Sequence, residues 1–502
     1  MQHSPITPAP VHVEMHEGPP FALRDGLRVV SDEGAEVVSV ALLAAARIGR
    51  GCGFPVAVVT DDDGRGDAVV LRLVATPSAV GLPDDLAPEL AAEGYRVEIT
   101  DRRATITATT AAGLIRGALT VQQTAVRIDD GGWALRPCVV VDHPRFAWRG
   151  LSLDVARRFI GVHDVKTVLN LMTVYKLNVL HLHLTDDQGW RLQLASRPEL
   201  TRASGGTAVE GGPAGFYTAA DYAEIVGYAA ARHIAVVPEV DVPGHVNAAL
   251  HAYGDLTPTG EAPPEYTGID VGFSRLHADL PATAPFLGDV FGELATMTPG
   301  HHVHLGGDEV TSMDPDEYAL LVRTAARHLA AAGKAVVGWQ EVASVLPEAD
   351  QGPDAPAVVI QYWDERTGAQ EVVDAAARGA RVLLSPASRV YLDMRYDEHT
   401  PVGLEWAGHV EVRDSYAWEP LEVLPLDAAQ IIGVEAALWT ETVQTADQMF
   451  LLLLPRLVAV AEVAWSAAGR RDWDDFAARL PGQRASWDEA GLTWYPSPQI
   501  AW

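Results

Sequence analysis

Cysteine is nearly missing from this chain: Cys52 and Cys138 are the only two in 502 residues. That is too few for a disulfide framework, so the fold must rest on its hydrophobic core. Positive charge is the second shortage. Against 67 Asp and Glu stand 37 Lys and Arg, a formal net charge of −30, which argues against nucleic acid or an anionic membrane as partner and suits a neutral or cationic ligand. Long uninterrupted apolar runs are missing too. The most apolar segment, Met449 to Trp465, contains Pro455, Arg456 and Glu462 and reads as a buried helix, so no membrane span is expected. The N-terminus, Met1-Gln2-His3-Ser4-Pro5, has no basic region followed by an apolar core. No secretory signal is therefore expected, and the expected compartment is the cytoplasm.

What is present is the composition of an ordinary globular protein, 48% hydrophobic and 21% charged, with ample material for a core. Residues 1–20 are Pro- and His-rich without a sustained period and are expected to be an irregular lead-in. Residues 21–140 read as a small α+β domain. A helical stretch runs from Ala35 to Ala46, a strand from Ala68 to Ala75, and a hairpin pairs Tyr95–Thr100 with Ala104–Thr109 around Asp101-Arg102-Arg103. A helix from Ala111 to about Val126 offers Leu114, Leu119 and Val121 to that sheet.

From residue 141 to 502 the pattern changes to apolar strands separated by helical stretches. Candidate strands are Trp148–Asp154, Asn178–Thr185, His233–Glu239, His301–Gly306, Ala335–Trp339, Ala357–Tyr362, Arg381–Ser385 and Ile431–Leu438. A (β/α)8 TIM barrel needs that many parallel strands, and an open doubly wound sheet is the alternative. Val168, Leu169, Met172 and Tyr175 give a helical period after the first strand, and Thr218-Ala219-Ala220-Asp221 fits a capping-box start after the second.

Barrel active sites lie at the C-terminal ends of the strands, and these ends are unusual. They carry Asp154 with Arg157-Arg158, Asp186-Asp187, Glu239-Val240-Asp241 with His245, Asp308-Glu309, Trp339-Gln340-Glu341, Trp363-Asp364, Tyr391-Leu392-Asp393 and Trp439-Thr440-Glu441. Acids and aromatics at one rim suit a sugar, whose hydroxyls take carboxylate and guanidinium hydrogen bonds and whose C–H faces stack on indole. Gly306-Gly307-Asp308-Glu309 also reads as a solvated surface turn. In a desolvated cleft, by contrast, two adjacent carboxyls raise each other's pKa and leave one as a general acid.

The motifs Asp154-Val155-Ala156-Arg157, His181-Leu182-His183-Leu184-Thr185-Asp186-Asp187-Gln188-Gly189-Trp190-Arg191, Pro238-Glu239-Val240-Asp241-Val242-Pro243-Gly244-His245 and His304-Leu305-Gly306-Gly307-Asp308-Glu309 give the chain its resemblance to family 20 glycoside hydrolases, the β-N-acetylhexosaminidases. The match extends through Gly338-Trp339, Tyr391-Leu392-Asp393 and Trp439-Thr440-Glu441. This resemblance implies an exo-acting, retaining enzyme that removes terminal GlcNAc or GalNAc through an oxazolinium, the acetamido oxygen of the substrate acting as nucleophile. It implies Glu309 as general acid and base, Asp308 as partner of the acetamido N–H, and Tyr391 as donor to the acetamido carbonyl. Trp339, Trp363 and Trp439 would wall the pocket, Arg157, Asp393 and Glu441 would bind hydroxyls, and Asp186, Asp241 and His245 would support the acid. It implies an oligosaccharide or small-molecule substrate, no cofactor and no metal.

Two other readings compete. His181-Leu182-His183 at a strand end has the spacing of a two-histidine metal site, as in a metal-dependent barrel hydrolase. A sugar-binding protein without catalysis would use the same rim.

Overall fold

The computed structural model describes residues 4–62, 64, 66–129, 131–347 and 357–502. The N-terminal unit is a mixed seven-stranded sheet. Its strands lie in the order His12–Met15, Cys138–Asp142, Tyr95–Ile99, Arg103–Ala108, Ala68–Leu73, Arg28–Ser31 and Ala57–Val59. Alternate residues Tyr95, Val97 and Ile99 are buried while Arg96 and Glu98 are not, the two-residue period of a sheet with one face covered. Helices Ala35–Cys52 and Ala111–Gln123 supply the cover.

One expectation fails here. The first twenty residues are not an irregular lead-in: His12–Met15 pairs antiparallel with Cys138–Asp142, and Ile6 and Thr7 are fully buried. Residues 1–3 lie outside the described residues. The unit extends to Asp142 rather than 140, because that edge strand needs its full partner.

The eight expected barrel strands close into a parallel barrel in chain order: Trp148–Asp154, Val179–His183, Ala235–Glu239, His302–His304, Ala335–Trp339, Val358–Tyr362, Arg381–Leu384 and Ile431–Leu438. Strand parity sorts their side chains. Leu180 and Leu182 pack outward into the main core, whereas Trp148, Val179, Val237, Val337, Val359 and Leu383 form an apolar floor inside the barrel. One layer higher the interior turns polar, with His181, Glu239, His304, Gln361 and Glu435 all buried. Gly150 makes room for this layer, since a Cβ there would lie 2.1 Å from Glu435 Oε2.

The apolar segment near the C-terminus is two helices, Ala446–Leu453 and Arg456–Trp465, bent by 46°. Pro455 cannot donate the hydrogen bond that would continue the first helix. No single helix among the described residues is long and apolar enough to cross a membrane.

The two units are joined by buried charge. Glu93 accepts from Arg116 Nε at 2.9 Å, Arg149 Nη2 at 2.5 Å and Asn178 Nδ2 at 2.9 Å. Burial pushes its carboxyl up, but Arg149 and Arg116 outweigh that and hold it down to about 2 from an ordinary 4.5. A depressed folded pKa means that this stabilisation is complete above pH 4.5 and drains away as pH falls through about 2. Glu93→Gln is therefore expected to cost about 3–5 kcal/mol at pH 7, the cost of stranding a buried cation. Urea unfolding should show the gap to the native protein narrowing below pH 4.5. A gap that stays constant from pH 7 to pH 3 would show that the ion pairs do not carry this stability.

Candidate active site

All twelve candidate residues gather at the C-terminal mouth of the barrel. Asp308 and Glu309 sit in the loop after His302–His304, and local backbone explains the two glycines before them. Gly306 and Gly307 have φ of 73° and 109°, and a Cβ on Gly306 would lie 1.8 Å from Asp241 Oδ1. Gly307 N donates to Asp241 Oδ1 at 3.0 Å, and the Tyr318 hydroxyl donates to Gly307 O at 2.6 Å. Glu309 and His245 also have positive φ, 55° and 54°, a conformation costly for non-glycine residues and concentrated at functional sites.

The two acids converge on one imidazole. His245 Nε2 lies 3.3 Å from Glu309 Oε2 and 3.8 Å from Asp308 Oδ2, while its Nδ1 lies 3.2 Å from Asp186 Oδ1. Asp186 is held well below the usual carboxylate range: burial opposes this, but Arg157 and His245 prevail. Burial disfavours the His245 cation, yet Asp186 and Asp308 raise its pKa well above that of an ordinary histidine. Asp241 behaves oppositely. Burial and the adjacent Asp308 push it well above its ordinary value. Asp241 Oδ2 and Asp308 Oδ1 both find no donor among the described residues, and a single proton between the two carboxyls satisfies both.

Beside the acids stands an aromatic cluster, close enough for the Asp308 charge to act on Tyr391. Trp339, Trp363 and Tyr391 are buried together, with Trp439 packed against them. The rings of Trp363 and Tyr391 stack at 6.2 Å, and Trp339 lies 5.8 Å from Trp439. Burial, then Asp393, raises the Tyr391 phenol well above its ordinary value, so it remains a donor. Arg157, whose guanidinium lies 4.8 Å from the centre of the Trp439 ring, pairs through Nη2 with Asp186 Oδ2 at 2.8 Å. Among the described residues, Arg157 Nε, both oxygens of Asp393 and Glu441 Oε2 are buried with no protein partner. Burial and Glu441 raise the Asp393 carboxyl well above its ordinary value. Buried polar atoms left this way are costly unless a ligand completes them.

The model for the catalytic domain of glycosyl hydrolase family 20 matches residues 146–319 and 317–468, and the model for that family's domain 2 matches residues 3–143. The chain belongs to family 20. A β-N-acetylhexosaminidase of Cellulomonas fimi is 53% identical over 498 residues, covering 99% of this chain and 97% of its own. The family 20 β-N-acetylhexosaminidase of Streptomyces coelicolor A3(2) superposes with a TM-score of 0.91 at 41% identity, over 99% of both chains. A variant Streptomyces plicatus β-hexosaminidase solved with its product GlcNAc gives the same TM-score and identity over 99% of this chain and 98% of that one.

In this family 20 site the two-histidine motif is engaged by carboxylates. His181 Nδ1 lies 2.9 Å from Glu435 Oε1, and His183 bridges Glu239 at 2.5 Å and Asp186 at 2.8 Å. Three residues of the site were not among the candidates. Glu341 follows the fifth barrel strand and takes a hydrogen bond from Trp363 Nε1 at 3.3 Å; burial, then Asp308, pushes its carboxyl up to about 8. Asp187 takes the hydroxyl of Ser274 and the backbone N–H of Asn247. Both stand at strand ends, which was the available signal. Trp406 had none: it lies in a loop, 42% exposed, edge-on to Trp363 and Tyr391 at 5.9 and 5.8 Å.

The shared proton makes a prediction about pH. Asn at position 241 imitates a protonated carboxyl, so Asp241→Asn is expected to keep activity within about tenfold at pH 6 while extending it to higher pH, because no second charge develops beside Asp308. The pH profile of kcat/KM checks this. An alkaline limb unmoved by the substitution would place the proton elsewhere.

Proposed function

We propose that this pocket performs the family 20 reaction with the following division of labour. The protein is a retaining glycoside hydrolase acting on terminal, non-reducing β-linked N-acetylhexosamine, GlcNAc or GalNAc. The observation that carries the mechanism is the meeting of two adjacent acids, Asp308 and Glu309, with the buried cluster of Trp339, Trp363 and Tyr391 at one barrel mouth. That cluster can enclose a 2-acetamido group beside the acid pair, and substrate-assisted hydrolases of such sugars take the nucleophile from the substrate rather than from a second carboxylate.

The nucleophile is then the substrate's acetamido oxygen. It attacks the anomeric carbon as the glycosidic bond breaks, and Glu309 gives its proton to the departing oxygen. Asp308 accepts the acetamido N–H and balances the positive charge of the oxazolinium. Tyr391 donates to the acetamido oxygen, and Trp339, Trp363 and Trp439 confine the acetyl group in attacking position. Water then adds to the anomeric carbon, its proton passing to Glu309, and the ring opens with net retention. Arg157, Asp393 and Glu441 hold the sugar hydroxyls, and Asp186, Asp241 and His245 set the charge and orientation of the acids. The reaction so written requires no cofactor.

Two substitutions test these roles. Glu309→Gln is expected to slow cleavage of GlcNAc oligosaccharides by about 10²–10⁴-fold, and of aryl glycosides with good leaving groups far less, since only the former need protonation. Equal losses would remove Glu309 from proton transfer. Asp308→Asn is expected to lower kcat on N-acetyl substrates by about 10²–10³-fold and to weaken a thiazoline mimic of the oxazolinium. A panel of aryl glycosides with and without the 2-acetamido group completes the test: activity on plain glucosides without thiazoline inhibition, or a sugar ester trapped on either carboxylate, overturns substrate assistance.

A further inference from the structure

Below the pocket lies a carboxylate that the reaction above leaves without a role. Glu239 ends the third barrel strand and is fully buried. Its Oε1 accepts from Trp339 Nε1 at 2.8 Å, and its Oε2 lies 2.5 Å from His183 Nδ1. His181 Nε2 approaches Oε2 at 3.0 Å and His304 Nδ1 approaches Oε1 at 3.1 Å. The first contact leads to the pocket wall. The second leads to the acid through a continuous series: His183 Nε2 to Asp186 Oδ2 at 2.8 Å, Asp186 Oδ1 to His245 Nδ1 at 3.2 Å, His245 Nε2 to Glu309 Oε2 at 3.3 Å.

We propose that Glu239 is a positioning residue of the reaction, one carboxylate that fixes both the Trp339 indole of the acetyl pocket and, through His183, Asp186 and His245, the proton donor Glu309. The proposal rests on the roles given above to Trp339 and Glu309. Chemistry supports the tie: a planar carboxylate with one oxygen on an indole N–H and the other on an imidazole fixes their relative placement, which neutral side chains would do more weakly. Burial alone would raise the Glu239 carboxyl, but His183, His304 and His181 hold it well below the usual range. The same field raises His183 well above an ordinary histidine, against burial and with help from Asp186. The other charged groups that feel Glu239 are Asp241, Asp308 and, across His181, Glu435.

Glu239→Gln keeps the shape and an acceptor for Trp339 but removes the charge. Two changes are expected together. The dependence of log kcat/KM on leaving-group pKa steepens, with substrates of poor leaving group losing about 10- to 10²-fold more than activated ones, the scale of a small misplacement of the donor. The inhibition constant of the thiazoline rises at least about fivefold as the acetyl pocket loosens. A merely structural role would lower every rate by one factor and leave both the slope and the inhibition constant unchanged, and that result overturns the proposal, as does movement of only one of the two. Should Glu239→Gln fail to fold, Trp339→Phe, which removes the indole N–H, tests the same tie: a steeper slope supports it and an unchanged slope overturns it. Native protein that cleaves plain glucosides as well as their 2-acetamido counterparts would instead remove the reading of the pocket, whatever the Glu239 variant does.

Discussion

Repulsion between carboxylates is the constraint that organises this molecule's functional end. Asp154, Asp186, Asp187, Glu239, Asp241, Asp308, Asp393 and Glu435 are buried in and around one barrel mouth, with Glu441 partly buried beside them. At an effective dielectric constant near 20, two such charges about 4 Å apart oppose each other by about 4 kcal/mol. The fold answers in two ways. Where a cation is interleaved, the acid stays ionised: Asp186 lies between Arg157, His183 and His245, Glu239 among three imidazoles, and both fall well below the usual range. Where the nearest partner is another acid, burial and that neighbour raise the pKa, as at Asp241, Asp393 and Glu341. The site therefore separates fixed charges from held protons, and the chemistry proposed for it draws on both.

This arrangement also accounts for where the acids are found. Parallel strands rich in Val, Leu and Ile build the barrel, and alternation directs every second side chain inward. An apolar floor of Trp148, Val179, Val237, Val337, Val359 and Leu383 excludes water from below, so the polar layer above it is desolvated on that side. Low effective dielectric strengthens each imidazole–carboxylate contact and raises the cost of each one left unmade. The carboxylates of the inner layer, Glu239 and Glu435, are accordingly hydrogen-bonded, whereas both oxygens of Asp393 and Glu441 Oε2 at the mouth have no protein partner among the described residues.

The barrel was legible because its signals are local. Apolar runs mark strands, and each expected strand has a counterpart whose ends agree within two residues. The second and fourth strands shorten most, and at the fourth, His302–His304 rather than 301–306, Gly306 turns the chain into the left-handed region and out of the ladder. The N-terminal edge strand was not legible, since His12–Met15 gains its identity from Cys138–Asp142, more than a hundred residues away. The expected single helix ending at Trp465 divides at Pro455 for a reason the residue itself announces. Candidate site residues came from strand ends, where topology brings distant segments together. Trp406 stands on a long loop, and a loop's route depends on contacts that no local pattern encodes.

Left-handed backbone links this geometry to the reaction. Consecutive residues of an extended strand direct their side chains to opposite faces, so Asp308 and Glu309 on a continued strand would flank the barrel wall and never meet. Positive φ at Gly306, Gly307 and Glu309 brings both carboxyls to His245, itself at positive φ. Strain of about 1–3 kcal/mol at each non-glycine position is held in place by the Tyr318 hydroxyl on Gly307, by Asp241 beneath its N–H, and by the Leu276 N–H on Pro243 O. These bonds hold the loop with both acids at one imidazole. With both acids held at the mouth and the aromatic cluster beside them, the nucleophile of the proposed reaction is a group that this pocket can enclose, and the acetamido oxygen of the substrate meets that requirement.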